Sequence, residues 1–409
     1  MKSTLRKNLG IFVFLILLGG LSTVSYGAGR EVSLVFLSDM TGPVSNIAIP
    51  AHQGIKDYFR YVNEQGGIDG VYLKLIEVDT RFDMSRMVSG YARYHKAKKV
   101  LAFMVASTAG AKLLRSKAVE DRLVLHTTPA GEFQAKPSRL FLIGPPYADG
   151  FSAAMDWAME DWKRKGKEGG PTFGYMSWNN EGGRDHLRGA REYAVRIGIK
   201  LLKPVYFPVG DLGFTSHLLR LRKADYIYMG GIAMPAPTRI ILAGHQIGIR
   251  YPKTTFISDY YGAYWNFGLK THKKELQGWV VTSYHLRGVD AGNHPLVKLL
   301  WDRYHKEPIS AMKPFYLMGM SVAMTFKAGV KLALEAVGYD MIDGDTLYQA
   351  YQRLTGKDIF QGISGKCDFS ATSRRSTKEV RFYQSKGSDL VPITGWRETP
   401  DAVSLYKWD

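Results

Sequence analysis

The chain has 409 residues, 45% of them hydrophobic and 22% charged, with a formal net charge of +18. This composition is typical of a globular protein and excludes a disordered, collagen-like or coiled-coil chain. The length is enough for two domains that each bury a core. One cysteine, Cys367, excludes a disulfide framework and any multi-cysteine metal site, and we expect it to be structural.

Residues 1–28 have the layout of a secretory signal peptide. Three basic residues start the chain, an apolar run covers 9–18, and small residues at 25–28 offer a cleavage site. The run is too short to span a bilayer comfortably, and no cysteine follows it for a lipid anchor. We expect a cleaved signal peptide and a soluble periplasmic protein. An uncleaved membrane anchor is the alternative.

From residue 30 onward, short apolar strands alternate with amphipathic helices. In the helix predicted at 49–64, Ile55, Tyr58, Phe59 and Val62 recur at three- and four-residue spacing. Apolar strands separated by helices indicate a parallel sheet covered on both faces. The first series has strands at 32–37, 72–78, 100–105 and 123–126, with further helices at 84–96 and 109–121.

A second series begins after 144–146, a predicted crossing between domains. Its strands are predicted at 172–177, 200–207, 226–229 and 254–257, and its helices at 150–163, 184–197, 215–222 and 237–246. A strand at 279–282 and helices at 295–305 and 316–337 are expected to return to the first unit. The predicted fold class is α/β, with two doubly wound, Rossmann-like lobes. The N-terminal lobe would comprise 29–146 and 279–358, and the C-terminal lobe 147–278 and 359–409.

Motifs of the common enzyme classes are absent from the sequence. No G-x-G-x-x-G follows the first strand, and no Walker A, H-E-x-x-H or G-x-S-x-G motif occurs. The acidic run at Asp340, Asp343 and Asp345 lacks the terminal glutamate of a calcium loop, so it indicates a helix entry. We therefore expect no catalytic activity, no cofactor and no metal. Scattered basic residues and export argue against nucleic-acid binding.

Three predicted strand ends in the first unit carry small hydroxyl residues. They hold Thr41, then Ser107 and Thr108, then Thr128 and Ala130. Ligands of open α/β sheets bind beyond the carboxyl ends of strands, where helix N-termini offer free N–H groups. This chemistry suits a carboxylate or another anionic or carbonyl group. Helix capping alone is the alternative interpretation.

Three early segments carry a resemblance to a known family: SDMTGP (38–43), NEQGGIDG (63–70) and LKLIEVD (73–79). Together they resemble the opening of periplasmic leucine/isoleucine/valine-binding proteins, the type I solute-binding proteins of branched-chain amino acid ABC transporters. The order of elements agrees over nearly the whole mature chain. The resemblance implies two lobes joined by three crossing strands, which close on a ligand held between them.

The resemblance also implies ligand-binding positions. A ligand carboxylate would be held by Ser107, Thr108 and Ala130, while the acidic partner of a ligand ammonium would fall near Asp259. Glu132 stands where the family often has a small hydroxyl residue. If it pointed inward, it would favour a cation or a hydrogen-bond donor. A second departure is NNEGG at 179–183, where relatives tend to carry a tyrosine-glycine pair.

Aromatic residues follow two strands of the second series. Trp178 follows one strand, and Tyr260, Tyr261, Tyr264 and Trp265 follow another. Aromatic walls with a few polar groups are typical of a small-molecule cleft, although some of these rings would be core. They favour a ligand with an apolar or aromatic body.

We therefore interpret the chain as the solute-binding receptor of an ABC importer. Its solute would be small and organic, amino acid-like or an aromatic or apolar carboxylate or amide. The expected partners are that solute and membrane permease subunits, with the receptor a monomer. A soluble ligand sensor of the same fold is the alternative. An enzyme on a similar frame would need a nucleophile, base or metal site that the sequence does not offer.

Overall fold

The computed structural model describes residues 29–262, 269–313 and 315–408. The predicted signal peptide and the aromatic residues Tyr264 and Trp265 lie outside the described residues. The strands are β1 (Arg30–Ser38), β2 (Val71–Asp79), β3 (Val100–Val105), β4 (Val124–Thr127), β5 (Leu140–Leu142), β6 (Thr172–Trp178), β7 (Lys200–Leu201), β8 (Val205–Phe207), β9 (Tyr226–Gly230), β10 (Thr255–Ser258), β11 (Val280–Ser283), β12 (Glu379–Lys386), β13 (Asp389–Pro392) and β14 (Arg397–Glu398).

Helices alternate with these strands over most of the described chain. They are α1 (Ser45–Glu64), α2 (Met84–Tyr94), α3 (Thr108–Glu120), α4 (Gly131–Ala135), α5 (Tyr147–Arg164), α6 (Glu181–Asp185), α7 (Ala190–Arg196), α8 (Thr215–Leu219), α9 (Ala236–Gln246), α10 (Gly288–Asn293), α11 (Pro295–Tyr304), α12 (Phe315–Met341) and α13 (Gly344–Tyr351).

The first lobe is built on a five-stranded parallel sheet, sheet A, with strand order β2-β1-β3-β4-β5. Every residue of β3 and of β4 is buried. That burial explains their unbroken apolar or uncharged sequences, because helices cover both faces of the sheet. The parallel direction places the carboxyl ends of β1, β3 and β4 along one edge.

The second lobe is built on a mixed sheet, sheet B, with the order β13-β12-β11-β10-β9-β6-β7. β8 also pairs with β6, and β14 pairs with β12. β11 lies between β10 and β12 in this sheet, whereas the predicted lobe boundary after residue 278 assigned it to the first lobe. The apolar pattern of a segment predicts that it forms a strand, but not which strand it pairs with. The chain instead returns to the first lobe with α11 and α12, which pack on α1.

Three chain segments join the lobes and contact one another. The first follows β5, the second follows β11 and the third precedes β12. Leu142, at the start of the first, donates its N–H to Arg374 O of the third at 2.6 Å. In the second segment, Leu286 N donates to Ile363 O at 2.9 Å. The architecture is therefore two α/β lobes joined by three crossing segments, as the sequence predicted.

Helix α12 is the longest helix of the described chain and packs closely on α1. A Cβ on Gly319 would lie 1.9 Å from Ala51 O, and one on Gly54 would lie 2.0 Å from Tyr316 O. Glycine at both positions therefore permits the approach of the two backbones. α12 is long and apolar enough to span a membrane, but 72% of its apolar window is buried inside the protein. It is the core helix of the first lobe.

Two predicted elements of the second lobe are divided. The helix predicted at 184–197 is α6 followed by α7, with Gly189 between them at φ +93°. The strand predicted at 200–207 is β7 followed by β8, separated by a stretch that contains Pro204. Proline has no N–H to donate to a strand ladder. The acidic helix entry is confirmed, since Asp343 caps α13 through the N–H groups of Asp345 and Thr346.

Candidate functional site

A cavity of about 160 Å³ lies between the two lobes. It is bounded by the carboxyl ends of β1, β3 and β4 on one side and of β6, β9 and β10 on the other. The residues that line it are Leu37, Asp39, Val44, Ile47, Ala48, Phe82, Met84, Met87, Ala106, Ser107, Thr108, Ala109, Thr128, Ile143, Tyr147, Trp178, Asn180, Glu181, Gly182, Gly183, Gly231, Tyr261 and Met318. Four predicted site residues, Ser107, Thr108, Thr128 and Trp178, are among them.

The polar end of the cavity lies at the start of α3. Ser107 caps this helix, with its Oγ accepting from Gly110 N at 3.1 Å. The hydroxyl oxygens of Thr108 and Thr128 are 2.8 Å apart. The first N–H groups of a helix lack intrahelical partners and favour negative charge. This end of the cavity is therefore suited to a carboxylate or carbonyl oxygen.

The rest of the wall is mainly apolar. Phe82 and Met318 contribute from the first lobe, and Trp178, Tyr147 and Tyr261 from the second. The two tyrosine hydroxyl oxygens are 3.0 Å apart. An apolar protein cavity of about 150 Å³ holds a benzene molecule, so this cavity has room for a body of that size.

Three predicted site residues of the first lobe, Thr41, Ala130 and Glu132, lie outside the lining. The Thr41 hydroxyl is exposed and donates to Asp79 Oδ2 at 2.6 Å. Ala130 is fully buried and donates its backbone N–H to Thr128 O at 2.8 Å. Thr41 therefore stabilises the loop after β1, and Ala130 shapes the entry to α4.

Asp259 and Tyr260 lie behind the wall of the cavity. The Asp259 carboxylate accepts from His186 Nε2 at 3.1 Å, from Gly231 N at 2.6 Å and from Tyr261 N at 3.0 Å. With Tyr260 it lines a second, small cavity of about 20 Å³ at the junction of the lobes. The Tyr260 ring packs on Tyr261 with a centroid distance of 4.1 Å, and its hydroxyl is buried without a partner in the described residues.

Glu132 belongs to a network of charges that joins the lobes. Its carboxylate contacts Lys112 Nζ at 2.8 Å and Arg115 Nη1 at 3.1 Å within the first lobe. Lys112 also reaches Glu181 of the second lobe at 2.7 Å, and Glu181 contacts Arg188 at 2.8 Å. Burial lowers the pKa of Lys112, but its hydrogen bonds to the two glutamates outweigh burial and raise the pKa overall.

Asp185 adds a second contact between the lobes. Its Oδ2 accepts from Gly131 N at 2.8 Å, while Arg188 lies 3.3 Å from its Oδ1. The side chain is completely buried, and this burial raises the pKa of Asp185 to about 6. Opening of the lobes would expose this carboxylate to water.

The sequence interpretation did not identify Lys112, Asp185, Arg188 or Tyr147. The helical spacing of Asp185 and Arg188 is visible in the sequence, but the contact of Asp185 with Gly131 of the other lobe is not. Tyr147 directly follows the predicted crossing, which is the only sequence signal for its position. Among residues 29–262, 269–313 and 315–408, no group of three His, Cys, Asp or Glu side chains could hold a metal ion.

Comparisons with known proteins agree with this architecture. A family model described as periplasmic binding protein matches residues 31–389. No curated protein sequence matches the chain significantly.

Solved structures with the same fold include several transport proteins. A branched-chain amino acid ABC transporter protein from Thermus thermophilus with bound valine is 18% identical, with a TM-score of 0.79 over 91% of this chain and 98% of that one. A fatty acid ABC transporter substrate-binding protein from Thermomonospora curvata is 16% identical, with a TM-score of 0.75 over 92% and 94%. A leucine-binding protein from Thermotoga maritima is 17% identical, with a TM-score of 0.71 over 91% and 99%.

At these identities the structures show a common fold, the type I periplasmic binding protein fold. The family model covers most of the chain. The chain therefore belongs to the periplasmic binding protein family, a family of extracytoplasmic solute-binding proteins rather than enzymes.

Proposed function

We propose that the protein is the solute receptor of an ABC importer. It captures a small organic solute with a carboxylate or amide end and an apolar or aromatic body. The solute lies between the lobes, and closure presents the loaded receptor to membrane permease subunits. The observation that carries this proposal is the cavity of about 160 Å³, with helix-start hydroxyls at one end and apolar and aromatic walls elsewhere.

The hydroxyl groups of Thr108 and Thr128 support the placement of the polar end. They are buried, 2.8 Å apart and adjacent to the first turn of α3. An oxygen of the solute would accept from a hydroxyl and from backbone N–H groups of this turn. Hydrogen bonds to a charged group contribute about 1.5–3 kcal/mol each. The Trp178, Tyr147 and Tyr261 rings supply apolar contact area from the second lobe.

The test is a thermal-shift screen of the chain from Gly29 onward, followed by titration calorimetry of any solute that raises the midpoint. The panel contains branched-chain and aromatic amino acids, aliphatic and aromatic carboxylates and the corresponding amides. A ligand that binds only the folded state raises stability by mass action. We expect a shift with one chemical class and weaker binding in Thr108→Val, which keeps the shape but removes the hydroxyl. Its affinity should fall about tenfold.

A matched control is Thr215→Val at the first residue of α8. Thr215 is also a threonine that begins a helix, but it is exposed and lies outside the cavity lining. Its affinity should equal that of the wild type. Unchanged affinity in Thr108→Val would contradict the proposed polar end.

Export and assembly complete the proposal. Residues 1–28 would act as a cleaved signal peptide, and the mature receptor would work as a periplasmic monomer. Mass spectrometry of the exported protein would give its first residue, and light scattering its mass. An N-terminus at Met1 in the mature fraction would contradict cleavage.

A further inference from the structure

We infer that the solute is a carboxylate without an ammonium group, and so not an amino acid. This inference rests on the proposed function, because it concerns the solute of the same cavity. The carboxylate groups at the cavity already contact other groups of the protein, which limits what they can offer to a solute.

An ammonium group in a protein interior needs a carboxylate to offset its charge. Two acidic residues, Asp39 and Glu181, line the described part of the cavity. Residues 263–268, which follow Tyr261 and Gly262 in the sequence, contain no Asp or Glu. The carboxylates that could pair with an ammonium group of the solute are therefore those of Asp39, Glu181 and, behind the wall, Asp259.

Asp39 is directed into its own loop. Its two oxygens accept from Gly42 N and Val44 N, each at 2.6 Å, and the residue is only 2% exposed. The carboxylate also lies just before α1, where the positive end of the helix offsets negative charge. It therefore presents little of its charge to the cavity.

Glu181 is paired with two cations. Lys112 Nζ and Arg188 Nη1 lie 2.7 and 2.8 Å from the same oxygen, Oε1. Each of these cations also contacts a second carboxylate, Lys112 that of Glu132 and Arg188 that of Asp185. A third cation from a solute would meet repulsion from both.

The Asp259 carboxylate is hydrogen-bonded to His186. The Nδ1 atom of this histidine lies 2.9 Å from Gly182 O, and Nε2 lies 3.1 Å from Asp259 Oδ2. The backbone N–H groups of Gly231 and Tyr261 also donate to the Asp259 carboxylate, at 2.6 and 3.0 Å. The pair is buried, with His186 1% exposed and Asp259 5% exposed. The Asp259 carboxylate therefore has three hydrogen-bond partners within the protein and lies outside the lining of the cavity.

A buried arginine, Arg287, contacts the aromatic segment that follows β10. Arg287 is 3% exposed and donates to Ser283 Oγ at 2.8 Å and to Tyr260 O at 2.6 Å. In the described chain it has no carboxylate partner, and its Nη1 is buried without a hydrogen bond. Tyr260 and Tyr261 are adjacent, and Tyr261 lines the cavity. Arg287 lies outside the described lining of the cavity, and its positive charge offers no partner to an ammonium group.

The experiment compares solutes that differ only in the amine. Titration calorimetry of the wild-type mature chain would use three pairs: isovalerate with valine, isocaproate with leucine, and hydrocinnamate with phenylalanine. We expect the carboxylate of at least one pair to bind about tenfold or more tightly than its amino acid, and no amino acid to bind more tightly than its partner. An amino acid that binds more tightly would overturn this inference and leave the receptor proposal standing. If neither these solutes nor the corresponding amides bind, the proposed function fails, and this inference with it.

A near-isosteric variant tests the electrostatic argument directly. Asn180 lines the cavity, and its Oδ1 caps α6 by accepting from Gly183 N at 2.8 Å. Asn180→Asp keeps this cap and adds a carboxylate without a cationic partner. The ratio of amino acid to carboxylate affinity should rise about tenfold. Asn179→Asp, an exposed neighbour outside the lining, should leave the ratio unchanged. An unchanged ratio in Asn180→Asp would overturn the inference.

Discussion

The Nζ atom of Lys112 on α3 lies 2.7 Å from Oε1 of Glu181 at the start of α6. One ion pair therefore joins the two lobes beside the cavity. Glu132 holds the same ammonium from the first lobe at 2.8 Å, and Arg188 holds Glu181 from the second at 2.8 Å. These four side chains form a continuous chain of charges whose central link breaks when the lobes separate.

Lys112→Gln should weaken solute binding, because it removes the central link from the closed form. Partly exposed ion pairs contribute up to about 1 kcal/mol, so we expect a threefold to fivefold rise in Kd. Calorimetry at low and at high salt gives a second readout. Binding by the wild type should weaken at high salt, and binding by the variant should weaken less.

The matched control for this variant is Lys298→Gln. Lys298 forms an ion pair with Asp302 within α11, and both side chains are more than half exposed. This change should alter neither Kd nor its salt dependence. Equal effects of the two variants would show that Lys112 acts only through the overall charge.

Asp185 should make solute binding depend on pH. Its carboxylate is buried when the lobes are closed, where its pKa is raised to about 6 from an ordinary 3.8. The closed form therefore binds a proton more tightly than an open form that exposes Asp185 to water. Between about pH 6 and pH 4, closure takes up a proton, so affinity should increase as the pH falls. One proton changes affinity by at most tenfold per pH unit.

Asp185→Asn separates this effect from titration of the solute. An asparagine Oδ1 can still accept from Gly131 N but does not titrate in this range. Calorimetry from pH 7 to pH 5 should give a steeper profile for the wild type than for the variant. Parallel profiles would contradict a role for Asp185 in proton-linked closure.

The sequence predicted the fold well because local patterns of apolar residues indicate which side chains are buried. The unbroken apolar run of β3 follows from its burial within sheet A. The spacing of Ile55, Tyr58, Phe59 and Val62 follows from the packing of one face of α1 against sheet A and α12. The partner of a strand is less local. β11 joins sheet B by pairing with β10 on one side and, on the other, with β12, about a hundred residues later in the chain. No pattern within β11 indicates that pairing.

The sequence predicted some residues of the cavity lining from their positions at strand ends. Ser107, Thr108, Thr128 and Trp178 follow their strands directly and line the cavity. Glu132 and Asp259 also follow strands that end at the cavity, but the sequence did not show which side chains would contact their carboxylates. Those partners, Lys112 on α3 and His186 just after α6, come from other parts of the sequence. Side-chain direction and ion pairing between lobes depend on packing, which residue order alone does not determine.

Gly189→Ala should destabilise the second lobe. Gly189 has φ +93°, and a Cβ there would lie 1.9 Å from Ala402 O of the C-terminal segment. The strained backbone alone costs about 1 kcal/mol or more, and the clash would displace that segment. Thermal unfolding should show a midpoint lower by at least about 2 °C. Gly150→Ala in α5 is the control, because nothing lies within 4 Å of its Cβ position. That variant should be as stable as the wild type or more so.

Trp178→Ala should weaken binding of any solute with an apolar body. The indole ends β6 and forms part of the cavity wall, so its removal takes away apolar contact from the second lobe. Burial of a large apolar side chain contributes about 1.5–3 kcal/mol, which corresponds to a tenfold to hundredfold rise in Kd. Trp162→Ala is the matched control, since its indole donates to Glu168 O near the end of α5, outside the cavity lining. Calorimetry of both variants with the best-bound solute provides the comparison. If Trp178→Ala binds as tightly as Trp162→Ala, the solute does not contact the aromatic wall of the second lobe.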